Sequence, residues 1–125
     1  MTNQEIYTKV RKHLLTQKER AVAENSASCR YRTPGGLTCA VGCLIPKELY
    51  TLEIEGASAH DAAKGFYLDG AEGFLHAIFV KLGITSESAG LLGQLQGIHD
   101  GIPEHRWEEH LNQLAASMGF EIEEA

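Results

Sequence analysis

All three cysteines of the chain lie in one stretch, residues 29–46, which reads CRYRTPGGLTCAVGCLIP. Cys39 and Cys43 stand four apart, a spacing that sets two thiols on one face of a helix, and Cys29 precedes them across a Pro-Gly-Gly turn. With His60 as fourth ligand, these would make a zinc site of three thiolates and one imidazole. Structural zinc sites draw ligand pairs from tight knuckles, whereas nine residues separate Cys29 from Cys39, and CAVGCLI is an apolar run. Cysteine packs readily as a small apolar residue. The spacing therefore favours three buried, reduced thiols over a metal centre, and no cofactor is expected.

A cysteine nucleophile is the second chemistry. Cys39, placed first in a short helix, would have its thiolate favoured by unpaired N–H groups and the helix dipole. His60-Asp61 and His99-Asp100 each offer a base. Side chains adjacent on a helix diverge, so neither aspartate is expected to orient its own histidine, and nothing specifies a triad. The paired His-Asp dipeptides also suit metal-dependent phosphohydrolases, but those need further ligands spread over a longer chain. No catalytic residue is assigned, and catalysis is not expected.

Anion binding is the third. Arg30 and Arg32 alternate on one strand, so both side chains leave the same face, while Tyr31 points away and packs. Thr38 and the amides opening a helix at Cys39 would add donors beside two guanidinium forks, a combination suited to phosphate or carboxylate. Arg30, Arg32, Thr38 and Cys39 are thus the candidate ligand-binding residues. The competing reading is that both arginines pair with the chain's own carboxylates, such as Glu53 or Glu55.

The charge balance limits the partners. Residues 1–32 carry seven basic against three acidic side chains, and residues 33–125 four against fourteen, for a net charge of −6. Phosphate repulsion makes such a chain a poor general nucleic-acid binder. No apolar stretch approaches the length of a membrane span, and Met1 to Val10 lack a signal core. Three cysteines without a signal sequence imply a reducing compartment, so the chain is expected in the cytoplasm.

These residues must be positioned by helices. Ile6, Val10 and Leu14 fall four apart, so the pattern predicts a helix over residues 3–24 with Thr2 or Asn3 as N-cap. CRYR and LTC flank Thr-Pro-Gly-Gly as a short hairpin around residues 29–39. TCAVGCLIP predicts one or two helical turns capped by Thr38 and stopped by Pro46. GASAHDAAKGF suggests a short helix, and glycines at 56, 65 and 70 mark loops. Residues 71–82 are helical through Phe74, Ile78 and Leu82, with Gly83 closing the helix. Ser86 opens a helix burying Leu91, Leu92, Leu95 and Ile98, leucines that would also serve a homo-oligomer seam. The last helix follows Pro103 and sets Trp107, Leu111, Leu114 and Met118 along one side, before a frayed acidic tail over 119–125. The expected fold is mainly α, a single compact domain of four to five helices with one small β-hairpin, spanning 1–125.

Three segments, CRYRTPGGLTCAVGCLIPKELY, LLGQLQGIHD and RWEEHLNQLAASMG, together resemble a family of small proteins of tailed bacteriophages and prophages. The resemblance runs from the N-terminal helix to Gly119 and brings no catalytic residues with it. It implies expression in the host cytoplasm and a role in occupying a host protein or a ligand, as in counter-defence against restriction, CRISPR or nucleotide signalling. The expected function is therefore a non-catalytic, phage-type accessory binding protein. The alternative is a protein that sequesters a small anionic ligand or nucleotide with Arg30 and Arg32.

Overall fold

The computed structural model describes residues 1–22 and 30–122. Its helices are α1 (Asn3–Gln17), α2 (Ala59–Lys64), α3 (Ala71–Leu82), α4 (Ala89–Gly101) and α5 (Trp107–Met118), joined by single 3₁₀ turns at Gly42–Leu44, Leu52–Ile54, Ser86–Ser88 and Glu104–Arg106. The fold is mainly α, as the periodicities predict.

α1 opens on a capping box. The Thr2 hydroxyl accepts from the Glu5 N–H at 3.1 Å, and the Glu5 carboxylate accepts from the Thr2 N–H at 2.8 Å. Those bonds hold the Glu5 carboxyl below its usual range. Ile6, Tyr7, Val10 and Leu14 form its buried stripe. The helix stops at Gln17 and does not reach residue 24, because Lys18 turns left-handed at φ 58° and the next residues are spent on tertiary contacts. Arg20 donates to the carbonyls of His99 (2.9 Å) and Ile102 (2.8 Å), satisfying the end of α4, and Ala21 donates its N–H to His99 Nε2 at 3.0 Å. Asn25, Ser26 and Ser28, expected to end α1, lie outside the described residues.

α4 is the centre of the domain. Leu91, Leu92, Leu95 and Ile98 are buried within the chain itself, each contributing about 2 kcal/mol through burial. They pack among α1, α2 and α5 and are not left for a dimer seam. α2 lies closest, since its inward residues are alanines (Ala59, Ala62, Ala63) and Gly93 of α4 faces His60 Cβ without a side chain. On α5, Trp107 is buried, donates its Nε1–H to the Ile102 carbonyl at 2.9 Å and stacks on His99 with ring centroids 5.6 Å apart.

Four further expectations are corrected. Among the described residues the hairpin around residues 29–39 reduces to one antiparallel bridge, Arg32 with Thr38, flanked by the Cys39 N–H to Tyr31 carbonyl (3.2 Å) and Thr33 N–H to Leu37 carbonyl (2.8 Å) bonds. It goes no further because the Tyr31 and Leu37 N–H groups go to Glu55 and the Thr33 hydroxyl instead. Tyr31 and Arg32 donate to Glu55, and the Gln17 amide takes both the N–H (3.1 Å) and the carbonyl (2.8 Å) of Thr38. TCAVGCLIP forms only the 3₁₀ turn, and Thr38 does not cap it. Met118 and Phe74 are exposed: the inward face of α3 is Leu75, Ile78 and Phe79. The start of the tail is docked, with Phe120 against the Tyr7 ring at 5.1 Å and Glu121 paired through its backbone with the Gln4 amide.

Candidate binding surface

Glu55 gathers the backbone of Tyr31 and Arg32 together with the Arg30 side chain. The Glu55 carboxylate accepts from the Tyr31 N–H (2.9 Å), the Arg32 N–H (3.3 Å) and the Tyr50 hydroxyl (2.5 Å), and Arg30 Nε lies 3.8 Å away. Arg32 sits over the Tyr50 ring at 5.7 Å and reaches the Ile45 carbonyl. Two backbone amides, the Tyr50 hydroxyl and the Arg30 guanidinium thus surround an anion, and that anion belongs to the chain. Desolvation, then Glu55 itself, raises the Tyr50 pKa.

Thr38 and Cys39 turn inward from this cluster. The Thr38 hydroxyl meets His13 Nε2 at 2.8 Å, and Cys39 Sγ accepts from the Gly42 N–H at 3.2 Å. Burial pushes the Cys39 thiol far up and the Cys43 thiol to about 12, so the thiolate that a nucleophile or zinc ligand requires is disfavoured at both. Among the described residues no three His, Cys, Asp or Glu side chains come together as a metal site. His60 is exposed on α2, and Cys29 lies outside the described residues.

Both histidine–aspartate dipeptides overturn the expectation that neighbours on a helix diverge. His99 Nδ1 donates to Asp100 at 2.7 Å, and His60 Nδ1 lies 3.1 Å from Asp61. His99 is fully buried and its Nε2 accepts the Ala21 N–H, so this oriented imidazole fixes a chain crossing and has no side left for a substrate.

An apolar surface also faces outward. Between α2 and α3, Phe66 (51% exposed), Tyr67 (70%) and Leu68 (46%) form a loop tip, and Phe66 and Tyr67 meet edge to face at 6.4 Å. The loop folds onto the start of α3 at Gly73, where a Cβ would stand 3.0 Å from the Leu68 carbonyl carbon and closer still to its oxygen. That contact fixes the rotation of α3 and turns Phe74, Ala77 and Val80 outward. Leu52, 68% exposed, comes from the 3₁₀ turn that packs against α3. Tyr67 has a φ of 57°, a left-handed conformation that β-carbon sterics disfavour in any residue but glycine.

Sequence periodicity missed these residues because Phe74 fits the same helical repeat as Ile78 and Leu82. The available signal was the run Phe66-Tyr67-Leu68 held between Gly65 and Asp69-Gly70: three large apolar residues in a turn. Among the described residues no helix is long and apolar enough to cross a membrane. Against family models, curated proteins and solved structures, the chain has no match.

Proposed function

We propose that the chain is a non-catalytic binding protein of phage type that occupies a host protein through the Phe66–Leu68 loop and the outer face of α3. The observation that carries this reading is Tyr67, the most exposed of the large apolar side chains and held in a strained backbone conformation. Strain at an exposed aromatic gives the fold nothing, and such residues concentrate where a surface is shaped for a ligand. Aromatic side chains flanked by further apolar contacts are what anchor protein interfaces. The buried thiols and the structural use of His99 fit a role without turnover.

Native mass spectrometry of protein purified from producing host cells, without chelator, tests the proposal. The expected species is the chain with one additional polypeptide. A bare monomer or a homodimer overturns it. A retained small anion overturns it in favour of sequestration at Arg30 and Arg32, which requires that anion to displace Glu55.

A further inference from the structure

A second surface, on the α4–α5 side of the domain, has different chemistry. An open cleft of about 360 Å³ lies between these helices, floored by Ile98, Ile102 and Leu114 and edged by Gln94, His110 and Gln113. That size falls within the range of small-molecule pockets. No Asp, Glu, Lys or Arg lines it, in contrast to the Glu55 cluster. Gly97 forms part of the wall, and a Cβ there meets nothing within 4 Å, so the missing side chain is what keeps the cleft open. His110 Nε2 is buried and has no hydrogen-bond partner among the described residues. Buried ring nitrogens are ordinarily paired, so an orphan at the edge of a cleft marks a group that a ligand would satisfy. A ligand in the cleft reaches Nε2 only if the ring turns, and the χ2 torsion of histidine is broad.

From this combination we infer that the α4–α5 cleft binds a small uncharged ring carrying a carboxamide or lactam edge. The apolar floor takes the ring face. The edge offers one donor beside one acceptor, which the primary amides of Gln94 and Gln113 can match in either orientation, and the imidazole nitrogen takes what remains. A charged ligand is disfavoured because no Asp, Glu, Lys or Arg lines the cleft to compensate its desolvation. This site is separate from the partner surface and from the arginine cluster, and it does not depend on the proposed function.

Benzamide is a direct probe, with benzoate as its charged isostere. In ¹H–¹⁵N spectra of the intact chain, titrated benzamide shifts the amides of Gly97, Ile98 and Leu114 and the His110 ring saturably, and benzoate binds at least about tenfold more weakly. Gly97→Leu, which fills the cleft from an open position, abolishes the shifts without lowering the melting temperature. Gln113→Ala, at an exposed position, weakens them severalfold and serves if Gly97→Leu fails to fold. The inference is overturned if benzamide gives no saturable shift at millimolar concentration, if benzoate binds equally well, or if a folded Gly97→Leu chain still binds.

Discussion

Replacing Glu55 by alanine removes the anion on which the segment from Arg30 to Tyr50 closes. The carboxylate accepts two backbone N–H groups and the Tyr50 hydroxyl, and Arg30 pairs with it; its side chain is only 17% exposed. Taking about 1 kcal/mol for each of the three hydrogen bonds, and nothing for the longer ion pair, the loss is ~3 kcal/mol. For a domain of this size that lowers the melting temperature by roughly 12 °C. Glu55→Gln keeps one oxygen for the Tyr31 N–H, so about half the loss is expected. Urea unfolding followed by circular dichroism measures both variants. Sulfate adds a chemical test: in Glu55→Ala the freed Arg30 and the Tyr31 and Arg32 N–H groups bind it and recover part of the stability beyond sulfate's general effect on the wild type. If both variants stay within about 0.5 kcal/mol of wild type, Glu55 does not organise the segment and the reasoning fails.

Gly42→Ala places a Cβ 2.8 Å from the Tyr31 carbonyl carbon and closer to its oxygen, so backbone must move; about 3 kcal/mol of destabilisation is expected by denaturant titration, and a neutral result refutes the close approach. His13 has its pKa lowered below the ordinary 6.5, mainly by desolvation, with His99 and Arg32 acting the same way and the Thr38 backbone opposing. The fold therefore favours neutral His13, so its contribution is complete above pH 6.5 and falls as acidification carries the unfolded chain through that value toward the lower folded pKa. His13→Gln should flatten the stability profile over that window, and an unchanged profile would assign the slope elsewhere. In a Cys29→Ser background, Cys39 and Cys43 should react with a disulfide reagent at pH 8 about a thousandfold more slowly than free cysteine, given thiols pushed up to about 12 and beyond; labelling at the free-thiol rate contradicts their burial.

How far the sequence reveals this molecule depends on which interactions decide each part. The extents of α3, α4 and α5 follow from apolar spacing and glycine or proline punctuation, although Phe74 and Met118 of those stripes lie outside. α1 ends early for a reason that its own pattern cannot contain: Arg20 and Ala21 serve the far end of α4. The hairpin fails similarly, since Glu55, distant in sequence, takes the Tyr31 N–H that the partner strand would have used. At the arginines, sequence named the residues and also the carboxylate that competes for them, but not which anion they hold. The apolar surface was hidden because one backbone contact, Leu68 on Gly73, sets the rotation of α3 and turns Phe74 from the expected core to the outside.

Tyr67 separates the needs of the fold from those of binding more sharply than any other residue. Asparagine tolerates the left-handed conformation that strains tyrosine, so Tyr67→Asn relieves about 1 kcal/mol of backbone strain while removing the exposed ring. Combined with Phe74→Ser on the neighbouring helix face, it should give a chain whose melting temperature is no lower than that of wild type. The deciding measurement is partner retention by this double variant in native mass spectrometry, beside wild type from the same host cells. The account predicts a polypeptide bound to wild type and a bare, folded double variant. Equal retention by both, or a double variant that loses the partner only because it unfolds, contradicts it.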